Sequence, residues 1–264
     1  MKWGIICKPS KESFMIGEKI YEKLGEAILE YKIAEYMGKK GYSMKEIGKM
    51  ADSIIIIGGD GTILMTLQQV SKPIFSINTG RIGFLTEVEA NEYEKAIDEI
   101  LKGEYYIEER MKLKIFLNGY RLPDAANEIA IHSASLGKIL FLKVFINEQI
   151  VQDICGDGII IATPTGSTSY ALSVGGPIVE PTLNVFIIAP IAPFKHIASP
   201  VIVSADKKIN IKVEKNAKIS IDGLYIEDFK PNDELIVSAS ENKAYFIKLK
   251  DNFYKKIYEK IRYR

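Results

Sequence analysis

The stretch Ser53-Ile54-Ile55-Ile56-Ile57-Gly58-Gly59-Asp60-Gly61-Thr62 decides how the N-terminal half is read. Four consecutive isoleucines are β-branched and apolar on both alternations, which predicts a strand covered on both faces, as in a parallel sheet. The run ends in three glycines around one aspartate, and Ile63 to Val70 then has helical texture. A strand, a glycine loop and a helix start suit a phosphate chain. Glycine N–H groups approach an anion closely, and the helix start adds unpaired N–H groups and a positive dipole end. Gly58, Gly59, Asp60, Gly61 and Thr62 are therefore candidate nucleotide- and phosphate-binding residues. An aspartate there repels phosphate unless it ligates Mg2+ or accepts a proton from an attacking hydroxyl, which makes Asp60 the candidate catalytic residue. The alternative is a plain turn in which the glycines supply positive φ and Asp60 caps the helix. The Gly-Lys-Ser/Thr ending of a Walker loop is missing, so any phosphoryl transfer is arranged without that lysine.

Around this stretch the first hundred residues alternate strand and helix. Trp3 to Cys7 has strand composition, and Ile16, Ile20, Leu24, Ile28 and Tyr31 recur at helical spacing from about Phe14 to Tyr36. Pro73 to Ile77 predicts a further strand, and Asn91 to Leu101 a helix stopping near Gly103. Such alternation argues for an α/β domain with a parallel sheet. From Tyr105 the texture turns to short β-rich segments, with Asn118-Gly119 a strong hairpin signal and Asn147-Glu148 a weaker one. KINIKV and KISID alternate cleanly, and an all-β sandwich is expected. Asp251 as N-cap, followed by Phe253, Ile257 and Ile261 at fourfold spacing, predicts an amphipathic last helix that docks on the α/β half. The expected domains are 1–103 with 250–264, and 104–249.

Composition excludes several classes. Apolar residues at 47% and charged residues at 26% are globular proportions. Thirty-five basic against thirty-four acidic side chains leave a net charge of +1, with no footprint for nucleic acid or an anionic membrane. Cys7 and Cys155 lie far apart, which fits neither a disulfide framework nor a metal site and suits a reducing cytoplasm. The apolar start is too short for a signal peptide, and no run approaches the roughly 20 residues of a membrane span.

A second segment, DGIIIATPTGSTSYALSVGGPIV from Asp157 to Val179, gathers six threonine and serine hydroxyls, one tyrosine and four glycines around an apolar run. Thr165, Ser167, Thr168, Ser169, Tyr170 and Ser173 offer neutral donors and acceptors suited to ribose hydroxyls and phosphate. Asp157 could accept from an amide or amine. A hydroxyl-rich loop leading into a capped helix is the alternative. Third, Asn127-Glu128 interrupts the β-like AANEIAIH, where a surface glutamate on an edge strand is the ordinary explanation. Lys138 could add positive charge for a phosphate. His132 and His196 have no partner pattern and receive no role.

GGDGT at Gly58 to Thr62, TGRIGFLTE at Thr79 to Glu87, Asn127-Glu128 and the Asp157 to Val179 segment together resemble the NAD kinases in order and spacing. GGDG alone is shared with lipid kinases and 6-phosphofructokinases; the other segments separate those cousins. The resemblance implies a Rossmann-like N-terminal α/β domain, a C-terminal β-sandwich, a C-terminal helix returning to the first domain, and a site between the two. It implies phosphoryl transfer from ATP with Mg2+, or from polyphosphate in some members, to the 2′-hydroxyl on the adenosine side of NAD, some members also taking NADH. Asp60 would be the proton acceptor, and Asp60 and Gly61 would contact nucleotide. NAD would be bound by Asn127, Glu128, Asp157 and Thr168, Ser169, Tyr170, Ala171, Leu172 and Ser173, with Lys138 where the family often has a basic residue and Ala192 in the Pro-Ile-Ala-Pro stretch beside the adenosine. A homodimer or homotetramer is the family's habit. Met65, Ser169, Phe194 and Ser199 depart from the common pattern, which bears on donor handling. A kinase of another small molecule and a nucleotide-binding sensor remain the competing readings.

Overall fold

The computed structural model describes residues 1–80, 83–135, 137–194 and 198–262. Arg81 and Ile82 of the TGRIGFLTE segment, His196, and the side chain of Ile261 lie outside the described residues. The chain forms two compact units, Met1–Glu109 with Ala244–Arg264, and Arg110–Lys243.

The first unit begins β1 (Trp3–Cys7), α1 (Lys11–Leu24), β2 (Ile28–Glu30), α2 (Tyr31–Tyr36), β3 (Gly41–Tyr42), α3 (Met44–Met50), β4 (Ser53–Ile57), α4 (Asp60–Leu67), β5 (Ile74–Asn78), β6 (Val88–Glu89) and α5 (Tyr93–Leu101). The strands pair in parallel in the order β5-β4-β1-β2-β3, with β6 alongside β5. Ile54 to Ile57 are all fully buried, as expected for a strand covered on both faces. Ile55 and Ile57 join Ile5, Ile16, Ile20, Phe75 and Ile97 in one core cluster.

The single helix expected from about Phe14 to Tyr36 is not formed. It stops at Gly25, whose φ of 76° places it in the left-handed region and whose N–H bonds Tyr21 and Glu22 carbonyls. Ile28 and Leu29 then pair with Gly4 and Ile5 as a strand before α2 begins. Helical spacing continued through Gly25 by coincidence, and strand pairing prevailed over it.

The second unit contains β7 (Tyr106–Leu117), β8 (Tyr120–Arg121), β9 (Glu128–Ser133), β10 (Leu140–Ile146), β11 (Gln149–Gly156), β12 (Gly158–Ala162), a 3₁₀ turn (Thr165–Thr168), α6 (Tyr170–Ser173), β13 (Val185–Ile191), β14 (Val201–Ser204), β15 (Ile209–Val213), β16 (Ala217–Ile221), β17 (Tyr225–Phe229) and the first part of β18 (Leu235–Lys248). One antiparallel sheet has the order β11-β10-β15-β18, with β7 beside β18 and β8 beside β7; the other runs β14-β13-β12-β9-β16-β17. Leu142, Val144, Ile211 and Leu235 of one sheet meet Ile129, Ile159, Ile161, Phe186 and Ile219 of the other in a single core, which makes a sandwich. Alternate residues Ile160 and Ala162 of β12 face the opposite way and pack with Ala171 and Val179, so β12 is buried on both faces. Asn118-Gly119 and Asn147-Glu148 all take positive φ, as tight hairpin turns require.

The end of β18 returns to the first unit, where Phe246 pairs with Ile74 of β5. The last helix, α7 (Phe253–Arg262), opens with Asp251 Oδ1 accepting the N–H of Phe253 at 3.3 Å. Asn252 occupies the cap position itself, one residue later than expected, and its carbonyl accepts from Lys256 at 3.0 Å. Among the described residues no helix is long and apolar enough to cross a membrane.

Candidate functional site

In the first unit β4 delivers Gly58 and Gly59 to the start of α4, with Gly59 as N-cap and Asp60 the first helical residue. The plain-turn alternative does not describe this loop. Gly58, Gly59 and Gly61 are absent from the positive-φ residues, and Asp60 makes no capping bond to its own helix. Its carboxylate instead reaches across the chain, where Oδ2 accepts Phe84 N–H at 2.9 Å and Oδ1 accepts Leu85 N–H at 3.1 Å. Gly83 has no Cβ because one would lie 2.2 Å from Asp60 Oδ1. A Cβ at Gly59 or Gly61 would meet nothing within 4 Å, so both backbones border open space, whereas Gly58 is closed off by Thr62 Oγ1 at 2.6 Å. The result is a half-buried carboxylate held in one orientation by two amides beside a helix N-terminus accessible to an anion.

In the second unit the segments around Asn127-Glu128 and Thr163 cross. Ala162 is paired with Glu128 between β12 and β9. Thr163 N–H donates to Asn127 O at 2.9 Å and its Oγ1 to Ala126 O at 2.7 Å, while the same hydroxyl accepts Gly166 N–H at 3.1 Å. Gly166 is required there, since a Cβ would stand 2.1 Å from Asn127 O. Ser169 Oγ donates to Glu128 Oε1 at 3.3 Å. Tyr170 stacks on His132 with ring centroids 5.8 Å apart, which gives that histidine a neighbour the sequence did not announce. Burial, then the Asp157 and Glu128 carboxylates, push the Tyr170 hydroxyl up, so it stays a neutral donor.

Glu128 is 8% exposed and lies on the central strand β9, so the edge-strand surface explanation is overturned. Asp222, absent from the sequence candidates, holds the crossing together: its carboxylate accepts N–H bonds from Ala126 at 2.8 Å, Asn127 at 2.8 Å and Glu128 at 3.0 Å. It sits at φ 50° in the Ile221-Asp222-Gly223 turn, and that turn pattern was its only local signal. Three buried side-chain oxygens at this crossing, Asn127 Oδ1, Glu128 Oε2 and Thr165 Oγ1, have no partner. A buried oxygen left without a partner carries a desolvation cost that a bound ligand or water can repay, and the clustering of three makes this crossing a candidate polar ligand site.

The remaining candidates have varied settings. Ser167 is spent on structure, exchanging bonds with Val179 O and N, and Ala171 is wholly buried in the core beneath α6. Thr168 Oγ1 donates to Thr165 O at 3.3 Å, and Leu172 is half-buried. Asp157 and Ser173 are exposed, as is Lys138 in the turn after β9. Ala192, exposed at the end of β13, takes φ 43°, a conformation unusual for a residue with a Cβ.

Burial first, then the nearby Asp222 carboxylate, push the Glu128 carboxyl from 4.5 up to about 8. It therefore holds its proton at neutral pH and can donate as well as accept. A folded pKa above the unfolded one means the folded state binds the extra proton, so stability is lost as pH rises from about 4.5 through about 8 and is level beyond. Glu128→Gln is expected to flatten that slope. Melting temperatures across the interval check it, and an unchanged slope in the variant would assign the dependence elsewhere.

Comparison with known proteins finds matches to both units. A family model described as the ATP-NAD kinase N-terminal domain matches residues 3–105, and one described as the ATP-NAD kinase C-terminal domain matches residues 126–249. The NAD kinase of Methanothermobacter thermautotrophicus is 38% identical over 273 residues, spanning 99% of this chain and 96% of that protein. That of Pyrococcus abyssi is 37% identical and covers 100% of both chains. Among solved structures, an NAD kinase from Archaeoglobus fulgidus in complex with ATP superimposes with a TM-score of 0.85 at 32% identity, covering 99% of each chain. Yeast NADH kinase complexed with NADH shares the fold, with a TM-score of 0.92 at 24% identity over 100% of this chain and 88% of that one. With both domain models matched in order and full-length relatives well above 30% identity, the chain belongs to the NAD kinase family.

Proposed function

We propose that the protein transfers the terminal phosphoryl group of ATP to the 2′-hydroxyl of the adenosine ribose of NAD, with Asp60 as the proton acceptor. The observation that carries this reading is the Asp60 carboxylate clamped by the Phe84 and Leu85 amides beside Gly59 and Gly61. The bond from the ribose oxygen to the terminal phosphorus forms, the bond from that phosphorus to the bridging oxygen breaks, ADP leaves, and the hydroxyl proton passes to Asp60. In a loose transition state the proton leaves late, so holding the hydroxyl in line matters as much as basicity. The backbone amides of Gly59, Asp60 and Gly61, with Thr62, bind the phosphates. Asn127, Glu128, Thr165, Thr168, Ser169 and Tyr170 bind NAD, their unpartnered oxygens taking its hydroxyls and amide groups, with Asp157, Ser173, Lys138 and Ala192 at the margin of that site.

Mg2+ fits this arrangement as part of the nucleotide. Among the described residues no group of three or more His, Cys, Asp and Glu could hold a metal ion. Mg2+ commonly keeps its waters and substrate phosphates and needs only one or two carboxylates, a role open to Asp60. When bound it neutralises charge on the phosphate chain. The relative bound to ATP supports ATP as donor, and polyphosphate presents the same terminal group. The free cysteines Cys7 and Cys155 support a cytoplasmic setting, and the family resemblance supports a homodimer or homotetramer.

Incubating the pure protein and Mg2+ with NAD or NADH against ATP or polyphosphate, and measuring NADP or NADPH, tests the reading. NADP from ATP and NAD is the expected product. NAD binding with no phosphorylated product from either donor would make the protein a sensor instead.

A further inference from the structure

The Thr79–Glu87 segment supplies both amides that hold Asp60, and it is itself held from the other side. Ser76 Oγ donates to Leu85 O at 3.3 Å and accepts Glu87 N–H at 3.1 Å. The Glu87 carboxylate, its side chain 2% exposed, is paired with Lys248, 7% exposed, and accepts Leu249 N–H at 3.0 Å. Lys248 Nζ also donates to Asn252 Oδ1 at 3.3 Å, Asn252 Nδ2 donates to Glu87 O at 3.4 Å, and Lys256 of α7 donates to Thr86 O. Four residues of the C-terminal return thus grip Thr86 and Glu87, which directly follow the two residues that grip Asp60.

A buried ion pair is a poor source of stability, because desolvation offsets its attraction, and an apolar pair would anchor a helix as well. Paired charges with fixed hydrogen bonds do set orientation. We infer that Glu87 and Lys248 are positioning residues for phosphoryl transfer, fixing the Phe84 and Leu85 amides so that the Asp60 carboxylate keeps a single orientation. This rests on Asp60 as the proton acceptor. The chain's C-terminal return is then part of the active-site support, acting on Asp60 through Thr86 and Glu87.

The test is the double variant Glu87→Gln with Lys248→Met, which removes both charges and leaves neither stranded. Hydrogen exchange at the Phe84 and Leu85 amides of the unliganded protein, kcat, and KM for NAD and ATP are read together, with Asp60→Asn in parallel. The expected result is roughly tenfold faster exchange at those two amides and a kcat lower by about 10- to 100-fold, the scale of an ångström of misplacement, with both KM values within a few-fold. Lys248→Arg, which keeps the charge pair, is expected to retain most of kcat. Unchanged exchange overturns the inference whatever turnover does, and so does faster exchange with wild-type kcat. Should Asp60→Asn keep full turnover, the proton-acceptor reading has failed, and the exchange result still decides whether the ion pair holds the amides. If the double variant does not fold, Lys256→Met removes the bond to Thr86 O without stranding a buried charge. It is expected to show the same two changes at a few-fold each, and wild-type exchange or kcat there also overturns the inference.

Discussion

Asp60→Asn is expected to lower turnover by about 10²- to 10⁴-fold while NAD affinity moves by no more than a few-fold. That range corresponds to about 3 to 5 kcal/mol of transition-state stabilisation. The substitution is close to isosteric, yet it removes the proton acceptor and disturbs the clamp at the same time. The carboxylate presents one oxygen to Phe84 N–H and the other to Leu85 N–H, whereas an amide has one acceptor and would turn its NH2 toward the second donor. NAD affinity is spared because the proposed NAD residues, Asn127 and Glu128 through Tyr170, take their geometry from Thr163, Gly166 and Asp222. Single-turnover rates with saturating ATP, alongside calorimetric NAD binding, check the split. An unchanged turnover number in the purified variant would remove Asp60 from the mechanism.

Local sequence carried the elements whose cause is local. The isoleucines of β4, the alternation of Ile209, Ile211 and Val213 in β15, and the Asn118-Gly119 turn each state their structure within a few residues. The capping box of Ser43 and Glu46 that starts α3 was equally legible in principle. What stayed hidden depends on pairing across long separations. Nothing between Phe14 and Tyr36 shows that Ile28 and Leu29 have partners waiting in β1. A strand sequence does not reveal whether it is central or at an edge, and only the pairing of β9 with β12 and β16 shows that Glu128 is not an edge-strand glutamate. The two candidate sites show the same division. Asp60 and the Thr165 to Tyr170 hydroxyls were recognisable by type, and Asn127 and Glu128 through the family resemblance alone, but the groups that orient them were not. Asp222 lies 94 residues from Glu128, and the amides that hold Asp60 lie 24 and 25 residues away. Backbone N–H groups carry no residue type, so a clamp made of them leaves no mark in composition or spacing.

Gly166→Ala should do to NAD binding what Asp60→Asn does to chemistry. The glycine is not needed for its backbone conformation, since its φ is not positive; it is needed for space. A methyl group there would lie 2.1 Å from Asn127 O, 2.5 Å from Asn127 C and 2.8 Å from Asn127 Cα, all backbone atoms that no rotamer change can move aside. Asn127 cannot yield, because its N–H is bonded to Asp222 and its carbonyl to Thr163 N–H. The 3₁₀ turn must therefore lift away, carrying Thr165, Thr168 and Ser169 from Asn127 and Glu128. Overpacking of this kind costs about 1–3 kcal/mol or more, so NAD affinity is expected to fall by roughly 10- to 100-fold or beyond. ATP affinity, which the proposal assigns to the glycine loop of the other unit, should stay within a few-fold and serves as the folding control. Ser169→Ala makes the contrast, losing one 3.3 Å bond to Glu128 in a half-buried setting, and a change of only a few-fold in NAD affinity is expected. Calorimetric titration of both variants with NAD decides the matter. A Gly166→Ala protein that bound NAD like the wild type would show that the contact of Gly166 with Asn127 is not what shapes the NAD site, and the orphaned oxygens of Asn127, Glu128 and Thr165 would then need another ligand.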